Sequence, residues 1–427
     1  MSEPSSPDGA PAPRLVVRTV RVDDPGPLLA LLPDGADTTA WVRRGAGLVG
    51  WGVAAVCRTT GADRFAEARD WWTDRVRSAV VRDEVRGPGT GLVCFGSFAF
   101  ADEPGHSVLV VPEVVVGRRG DSTWLTTTDV GAFGSSRALG PALAPATRPE
   151  APQGVTFADG VRSGPDWVHT VAEAVRRIGD GDLEKVVLAR DLLATAEQDI
   201  DVRWPLRRLA EDYPMCWTFH VDGLFGATPE MLVRLERGLV TSRVLAGTIR
   251  RTGDDAHDLA LAATLARSSK DLEEHELAVR SVAEALAPHC SSMNVPESPF
   301  VLHLPNVMHL ATDVTGVVDG ATGSGNALSL AEALHPSAAV GGTPTDLATA
   351  LITEIEGMAR GRYAGPVGWM DASGDGEWGL ALRSAEVAGP QVRLFAGCGI
   401  VADSVPEAEL AEAQAKFVPV RDALTAG

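Results

Sequence analysis

Short apolar runs separated by turn residues fill most of the first third of the chain. Such runs, when bounded by glycine, proline or charged residues, are typical of β-strands. The stretch ARDWWTDRVRSAV, between the second and third runs, predicts a helix. The predicted strands, between residues 15 and 128, are LVVRTV, GLVGWGVAAV, GLVCFGSFAF, HSVLVVPEVVVGRR and STWLTTT.

A stretch rich in proline, alanine and glycine follows at residues 136–165. Its composition predicts either a long connection between two halves of one fold or a linker between two domains. We therefore divide the chain into a disordered tail at residues 1–14, an N-terminal half at 15–150 and a C-terminal region at 151–427.

The C-terminal region mixes helical and strand-like runs. A helix is predicted from about Pro165 to Gly179, and two more at ALSLAEAL and LATALITEIEGMA. Antiparallel-looking strands broken by helices predict an α+β fold with large sheets. The predicted strands of this region are EKVVLARDLLAT, CWTFHV, LFGAT, MLVRLERG, LVTSRVLAGT, HLATDVTGVV, GPVGWMDA, EWGLALRSAEVA and QVRLFAGCGIVA.

Two further predicted helices carry matched pairs of acids beside an apolar stripe. Asp271 and Glu274 in KDLEEHELAV, and Glu409 and Glu412 in PEAELAEAQAKF, are each spaced i, i+3, which places both carboxylates on one helix face. Pro419 is expected to kink or end the second helix. Carboxylates gathered at a core margin repel one another, and a hard divalent cation relieves the repulsion. The pairs predict a shared Mg²⁺ site; the alternative is two ordinary solvated helix faces.

Composition and charge narrow the classes of partner. Of the 427 residues, 45% are hydrophobic, which is ample for a large core. The formal charge of -19 argues against nucleic acid or an anionic membrane surface as partner, because both require basic protein surface. An anionic substrate would therefore need a locally basic pocket.

The lack of a recognisable targeting signal, together with the spacing of the cysteines, predicts a cytoplasmic protein. The opening MSEPSSPDGAPAPR lacks the basic start and apolar core of a signal peptide, and no stretch is long and apolar enough to span a membrane. The five cysteines have neither CxxC nor zinc-site spacing, which indicates reduced thiols.

The segment AGCGIVA at residues 396–402 contains the GxGxxA outline of a dinucleotide-binding fingerprint. That fingerprint requires a βαβ unit, and no strand is predicted after this segment. We infer instead that Gly397 and Gly399 let a ligand approach the backbone closely.

Four polar residues stand in apolar or glycine-rich surroundings. Lys185 in EKVVLAR is a candidate general base if it is buried, whereas at a sheet edge its amine would reach solvent. Helix capping is the structural explanation for Glu230 in GATPEML, and core packing is that for His309 in MHLATDV. Arg383 in ALRSAEV lies in a predicted central strand and could bind a carboxylate.

These residues, in this order, resemble the chorismate-utilising enzymes, a family of isochorismate, salicylate, anthranilate and aminodeoxychorismate synthases. The resemblance implies one fold of two large antiparallel sheets flanked by helices, with chorismate bound in the C-terminal region. It covers residues 165–420 through KVVLAR, FGATPEML, LAGT, KDLEEHELAV, HLATDVTG, LHPSAAVGGTP, RGRYAGPVGW, ALRSAEV, AGCGIV and DSVPEAELAEAQAK.

The resemblance also implies roles for individual residues. Magnesium would hold the ring carboxylate of chorismate and be bound by Glu274 and Glu412, with Asp271 and Glu409 supporting it through water. The enolpyruvyl carboxylate would be held by Arg383, Tyr363, the backbone at Gly397 and Lys416. The pocket would be completed by Gly247, Thr248, His309, Ala339, Gly341 and Gly342.

Two positions narrow the resemblance to one member. Ammonia-using members have glutamine where Lys185 stands, whereas members that add water have lysine, because water needs a general base. Members other than isochorismate synthases generally have threonine at the position of Ala339 and a lysine soon after, in GxPK. Here SAAVGGTPTD has Thr345 in place of that lysine, so the chain is most similar to an isochorismate synthase.

The implied reaction is the magnesium-dependent isomerisation of chorismate to isochorismate, which feeds menaquinone or siderophore synthesis. Lys185 would activate water for attack at C2, and Glu230 would protonate the departing C4 hydroxyl. The alternatives are a salicylate synthase, which also eliminates pyruvate, and a non-catalytic chorismate-binding protein. No glutaminase subunit is implied, and members of this type are often monomers.

Overall fold

The computed structural model describes residues 14–35, 37–103, 105–131, 143, 145–181, 183–304, 307–318 and 325–425. The predicted tail, apart from Arg14, lies outside these ranges, as do residues 132–142 and 144 at the start of the predicted connection. The strands, in chain order, are β1 (Leu15–Arg21), β2 (Thr38–Arg43), β3 (Ala46–Trp51), β4 (Ala55–Thr59), β5 (Val80–Asp83), β6 (Val93–Ser97), β7 (Ser107–Val111), β8 (Val114–Arg119), β9 (Ser122–Val130), β10 (Thr156–Asp159), β11 (Lys185–Thr195), β12 (Trp217–Val221), β13 (Leu224–Thr228), β14 (Met231–Glu236), β15 (Leu239–Arg250), β16 (Cys290–Asn294), β17 (Phe300–His303), β18 (Val307–Val318), β19 (Gly342–Thr343), β20 (Pro366–Asp371), β21 (Gly376–Leu380), β22 (Ser384–Ala388) and β23 (Gln391–Ile400). The helices are α1 (Arg64–Ser78), α2 (Gly164–Gly179), α3 (Arg203–Asp212), α4 (Asp255–Leu265), α5 (Ser269–Leu286), α6 (Ala327–Ala333), α7 (Thr345–Ile355) and α8 (Pro406–Leu424).

The strands form two large sheets, which confirms the predicted α+β fold. The first sheet has the order β10-β11-β23-β22-β13-β12-β2-β3-β8-β9-β1-β5, with β19 paired to β11. The second has the order β16-β18-β15-β14-β21-β20-β6-β7-β4, with β17 paired to β18. Neighbouring strands are antiparallel apart from β1 and β5, which run parallel.

Strands from both sides of the predicted connection lie side by side in each sheet. In the first sheet β2 pairs with β12, with Val42 opposite Thr218, and in the second sheet β6 pairs with β20, with Phe95 opposite Trp369. The N-terminal strands therefore extend the same two sheets that carry the C-terminal strands.

Three runs that the sequence predicts as single strands are each divided between the two sheets. GLVGWGVAAV becomes β3 and β4, with Gly52 between them at a φ of 70°. HSVLVVPEVVVGRR becomes β7 and β8, broken beside Pro112, whose ring nitrogen cannot donate a ladder hydrogen bond. EWGLALRSAEVA becomes β21 and β22, and Arg383 lies at the crossing with a φ of 49°. The prediction that Arg383 lies within a central strand is therefore wrong.

The two acid-bearing helices form as predicted and pack against long strands. α5 begins at the N-cap Ser268, whose side chain accepts a hydrogen bond from the Asp271 backbone, and it packs on β15 and β18. Its apolar stripe, which includes Val279 and Val282, is buried. α8 packs on β23 and continues past Pro419 to Leu424, so Pro419 does not end this helix.

Buried apolar residues join the two sheets into one body. Trp41 and Phe219 from the first sheet meet Phe95 and Trp369 from the second in a shared cluster. Burial of such large side chains contributes about 1.5–3 kcal/mol each to folding. Among the helices of the described ranges, none combines the length and apolar character that a membrane crossing requires.

Candidate active site

A polar cavity of about 160 Å³ lies where β11, β15 and β23 meet α5 and α8. It brings together all but two of the residues predicted for the site, from parts of the chain more than 200 residues apart. The predicted residues that line it are Lys185, Glu230, Gly247, Thr248, Asp271, Glu274, His309, Ala339, Tyr363, Arg383, Gly397, Glu409, Glu412 and Lys416.

The two exceptions, Gly341 and Gly342, lie behind the strand that carries Lys185. The Gly341 carbonyl accepts a 2.8 Å hydrogen bond from the Val187 backbone, and Gly342 pairs with Val186. At Gly342 the backbone has a φ of 144°, and an added Cβ would lie 2.2 Å from the Lys185 carbonyl oxygen. These glycines therefore allow a close approach between the 341–342 turn and β11.

Lys185 is the first residue of β11, an interior strand of the first sheet. Its side chain is only 3% exposed, so the alternative of an edge lysine that reaches solvent is wrong. The ammonium Nζ donates to Glu274 Oε1 at 2.7 Å. An ammonium buried at this depth requires such a partner, because an unpaired charge would be costly.

Glu230 lies between β13 and β14 and is buried. Helix capping does not explain it, since it precedes a strand. Burial raises the pKa of its carboxyl to about 7, although the nearby cations Arg383, Lys185 and Lys416 partly oppose the shift. The carboxyl therefore carries a proton through much of the range below neutral pH, as a general acid requires.

His309 and Thr248 face each other across β15 and β18. His309 Nδ1 and Thr248 Oγ1 share a 2.9 Å hydrogen bond, and the register between the strands shifts beside Gly247. Burial, with the charges of Arg383 and Lys416, lowers the pKa of His309 to about 3, so the ring is neutral. Its Nε2 is buried and has no hydrogen-bond partner among the described residues. A plain core histidine would satisfy both nitrogens, so this atom points to a ligand.

The four predicted metal ligands reach the cavity from two helices. Asp271 and Glu274 come from α5, and Glu409 and Glu412 come from α8. Glu409 is buried and the other three are partly exposed, so these acids are less solvated than those of an ordinary outer helix face. The Ser404 hydroxyl donates to Glu409 Oε1 at 2.8 Å and orients that carboxylate.

A cysteine stands beside the α8 pair. The ligating atoms of Cys398, Glu409 and Glu412 lie within 4.8 Å of one another. Burial raises the pKa of Cys398 well above its ordinary value, and its S–H donates to the Glu409 carbonyl, so the thiol stays protonated. The remaining donors of this cluster are the carboxylate oxygens of Glu409 and Glu412, the kind of ligand that Mg²⁺ prefers, while Asp271 and Glu274 line the same cavity from α5.

A cationic corner, formed by Lys416 and Arg383, lies beside the acids of α8. Lys416 Nζ donates to Glu412 Oε1 at 2.6 Å and to the Gly397 carbonyl at 2.8 Å. Burial opposes ionisation of Lys416, but Glu412 outweighs it and raises the pKa of the amine. An added Cβ at Gly397 would lie 3.1 Å from the Tyr363 hydroxyl. With Arg383, these groups supply the locally basic region that an anionic substrate needs in an acidic protein.

The two glycines of AGCGIV leave space within the site. An added Cβ at Gly399 would lie 2.9 Å from Lys185 Cε and 3.1 Å from Glu274 Oε1. β23 runs antiparallel between β11 and β22, which excludes the βαβ unit of a dinucleotide fold.

Sequence reasoning missed a buried ion pair whose arginine, Arg360, lines the cavity. Arg360 donates to Glu356 at 2.6 Å, to the Val187 carbonyl at 2.6 Å and to the Val340 carbonyl at 2.9 Å. Glu356 also accepts from the Ala189 backbone at 2.9 Å. The pair joins the strand of Lys185 to the turn that carries Ala339. Its i, i+4 spacing was the available signal, but nothing local distinguishes it from a surface pair.

Comparison with known proteins identifies what the chain is similar to. Residues 16–425 match a family model described as chorismate binding enzyme. The isochorismate synthase DhbC of Bacillus subtilis is 42% identical over 263 residues, which cover 59% of this chain and 66% of that protein. The isochorismate synthase MenF of the same organism is 37% identical over 263 residues, covering 61% and 55%. The matched part thus spans less than two thirds of either relative.

A solved structure matches over nearly the full length. The crystal structure of a 2,3-dihydroxybenzoate-specific isochorismate synthase, DhbC from Bacillus anthracis, covers 94% of this chain and 99% of its own, with a TM-score of 0.76 and 30% identity.

Proposed function

The chain belongs to the chorismate-binding enzymes, and from this membership we propose that it interconverts chorismate and isochorismate with the help of Mg²⁺. The observation that carries the proposal is the placement of a buried lysine and a buried, readily protonated carboxyl, Lys185 and Glu230, on one small cavity. The names of the relatives support the same reaction.

In the proposed reaction, water adds to one carbon of the chorismate ring and a hydroxyl group leaves another. The neutral amine form of Lys185 accepts a proton from a water molecule whose oxygen bonds to C2 of chorismate. The ring double bonds shift, the C4–oxygen bond breaks, and Glu230 gives its proton to the leaving hydroxyl, which departs as water. Reactant and product are isomers, so the reaction is expected to run to an equilibrium mixture.

The carboxylates would hold the ion. Glu274 and Glu412 would bind Mg²⁺ directly, with Asp271 and Glu409 acting through water. When bound, the ion would neutralise and orient the ring carboxylate of chorismate. The carboxylates of Glu409 and Glu412, beside a thiol that stays protonated, support a hard cation over a thiophilic one.

The cationic corner would hold the second carboxylate of the substrate. Arg383 and Lys416 would pair with the enolpyruvyl carboxylate, while Tyr363 and the Gly397 backbone shape that side. The remaining polar wall, with the free Nε2 of His309 beside Thr248 and Gly247, would face the ring. Ala339 also lines the cavity, which supports an isochorismate synthase over other members. The product would enter menaquinone or siderophore synthesis in the cytoplasm.

The test is to incubate the purified chain with chorismate, with added Mg²⁺ or with EDTA, and to separate the products by chromatography with a parallel pyruvate assay. A magnesium-dependent mixture of chorismate and isochorismate without pyruvate is expected. Salicylate with equimolar pyruvate would instead make the chain a salicylate synthase. Binding of chorismate without any turnover would make it a non-catalytic binding protein.

A further inference from the structure

The chain uses arginine almost everywhere that it needs a fixed cation. It contains 35 arginines and only three lysines, at positions 185, 270 and 416. Two of the three contact acids of the cavity, Lys185 with Glu274 and Lys416 with Glu412, and the third, Lys270, precedes Asp271 in the sequence. A bias toward arginine over the whole chain makes these three positions the exceptions that need an explanation.

Each of the two described lysine pairs occupies one oxygen of a carboxylate that is a proposed ligand of the cation. Lys185 Nζ lies 2.7 Å from Glu274 Oε1, and Lys416 Nζ lies 2.6 Å from Glu412 Oε1. Both ammonium groups are largely buried, with side chains 3% and 13% exposed. A divalent cation bound directly to these carboxylates therefore competes with both ammonium groups for the same negative charges.

We infer that Lys185 and Lys416 are internal counter-ions that exchange with the divalent cation at Glu274 and Glu412. The inference deepens the proposed function, since it rests on the cation site proposed there. It adds that the metal-free chain keeps the two carboxylates neutralised, and that cation binding releases the charge of Lys416 into the substrate cavity and frees the amine of Lys185 from its carboxylate partner. Because the released charge of Lys416 then faces an anionic substrate, cation and chorismate should each strengthen the binding of the other.

The chemistry of the two basic side chains explains why lysine stands at these positions. A guanidinium is a rigid fork that holds a carboxylate through two parallel hydrogen bonds, whereas an ammonium is a compact charge on a flexible stem. The ammonium is therefore the easier group to displace. Lys416 already donates to the Gly397 carbonyl, so it keeps a partner after it leaves Glu412. Gly399, which has no side chain, leaves space beside Lys185 Cε for that side chain to move.

The small number of lysines makes the exchange directly observable. In a chain labelled with ¹³C,¹⁵N-lysine, the side-chain methylene groups next to the amine give only three sets of NMR signals, which single Lys→Arg variants assign. Mg²⁺ is titrated without chorismate, and its affinity is measured in parallel by calorimetry. We expect the signals of Lys185 and Lys416 to shift with the same midpoint as the calorimetric binding curve.

Charge variants test the direction of the effect. Lys416→Gln removes the competitor and should bind Mg²⁺ about tenfold more tightly, while Lys416→Arg should bind it more weakly. Arg383→Gln is the matched control, because it removes one positive charge from the same cavity, and no ion pair of Arg383 with an acid occurs within the described residues. Its effect on Mg²⁺ affinity should be clearly smaller than that of Lys416→Gln.

The outcomes separate this inference from the proposed function. If Mg²⁺ binds to the wild-type chain but neither lysine signal moves, or if Lys416→Gln binds it no more tightly than Arg383→Gln does, the exchange is wrong and the cation site stands. If neither the wild-type chain nor Lys416→Gln binds Mg²⁺, the cation site itself is wrong and the exchange falls with it.

Discussion

Helices α5 and α8 each present a pair of acids, spaced i, i+3, to the cavity, but the lysine that neutralises one acid of each pair comes from a different part of the chain. On α8, Glu412 pairs with Lys416 of the same helix, four residues later. On α5, Glu274 pairs with Lys185, which lies 89 residues away on β11. The first pair is a local property of one helix, whereas the second exists only after a strand and a helix have packed together.

The difference has an energetic consequence. The Glu412 side chain is 36% exposed, so water screens its pair and leaves it with a modest contribution to stability. The Glu274 side chain is 18% exposed and faces an ammonium that is almost wholly buried. Loss of one partner of such a pair leaves an uncompensated charge, which is far more costly than the loss of a surface pair. Substitutions in the Glu274–Lys185 pair should therefore lower both stability and activity, whereas substitutions in the Glu412–Lys416 pair should change stability less.

The largest expected effect is on catalysis, where substitution of Lys185 and of Lys416 should change different kinetic constants. Lys185→Ala should lower kcat by about 10²- to 10⁴-fold with chorismate binding still measurable, because it removes the proposed base. Lys416→Ala should mainly raise KM, by about ten- to a hundredfold, through the loss of a charge-assisted hydrogen bond to substrate. Steady-state kinetics with product chromatography measures both. Full kcat in Lys185→Ala would remove the base assignment.

The next effect concerns stability without added metal. Glu274→Gln should lower the free energy of unfolding by about 3 kcal/mol, since it strands the buried ammonium of Lys185. Glu412→Gln should lower it by only about 1 kcal/mol, because that pair is partly exposed and Lys416 keeps the Gly397 carbonyl. Urea unfolding in EDTA measures the difference, with Glu276→Gln, an exposed acid of α5, as the control. Equal losses from the two variants would contradict the comparison between the helices.

Glu230 is the cavity acid that belongs to neither helix, and it should respond to pH in the opposite sense to Glu412. Burial raises the pKa of Glu230 to about 7, whereas Lys416 and Arg383 favour the carboxylate of the partly exposed Glu412 and lower its pKa against the opposing effect of desolvation. The proposed mechanism needs protonated Glu230, so kcat/KM should fall about tenfold per pH unit above about pH 7.

The raised pKa of Glu230 also makes the stability of the protein depend on pH. Because folding favours the protonated form of Glu230, its contribution to stability is complete below its ordinary pKa of 4.5 and is lost as the pH rises through about 7. Glu230→Gln should thus gain stability relative to the wild-type chain, by about 2 kcal/mol between about pH 5 and about pH 8, while it loses turnover. Unfolding curves at the two pH values test this. A constant difference between variant and wild type would show that Glu230 titrates normally.

The smallest expected effects come from two serines, one beside each acid pair. Ser404 donates to the Glu409 carboxylate, so Ser404→Ala should weaken Mg²⁺ binding by less than the roughly tenfold loss expected for a group that orients a direct metal ligand, because Glu409 is proposed to act through water. Ser268 caps α5 through the Asp271 backbone, so Ser268→Ala should cost about 1 kcal/mol of stability and leave Mg²⁺ affinity within about twofold. Calorimetry and urea unfolding on both variants check the assignment. The assignment is wrong if Ser404→Ala lowers only stability and Ser268→Ala lowers only Mg²⁺ affinity.

Much of the fold could be predicted from the sequence because its signals are local. Apolar periodicity located the acid-bearing helices, and it located most strands, such as β11 and β23. It could not place the crossings between sheets, because a run such as EWGLALRSAEVA looks continuous in hydrophobicity, although Arg383 adopts a left-handed conformation within it. It also missed the buried Arg360–Glu356 pair, which resembles any exposed i, i+4 pair until its depth is known.

The sequence by itself determined the elements of the site: two acid pairs on single helix faces, the Glu412–Lys416 pair and a lysine at the start of an apolar strand. Helix and strand geometry sets these from neighbouring residues alone. Only the tertiary structure decided that Lys185 meets Glu274, that Glu230 holds its proton to about pH 7, and that the Nε2 of His309 lacks a partner among the described residues. Desolvation and Coulomb interactions depend on distances between groups that are far apart in the chain, and those distances exist only after folding.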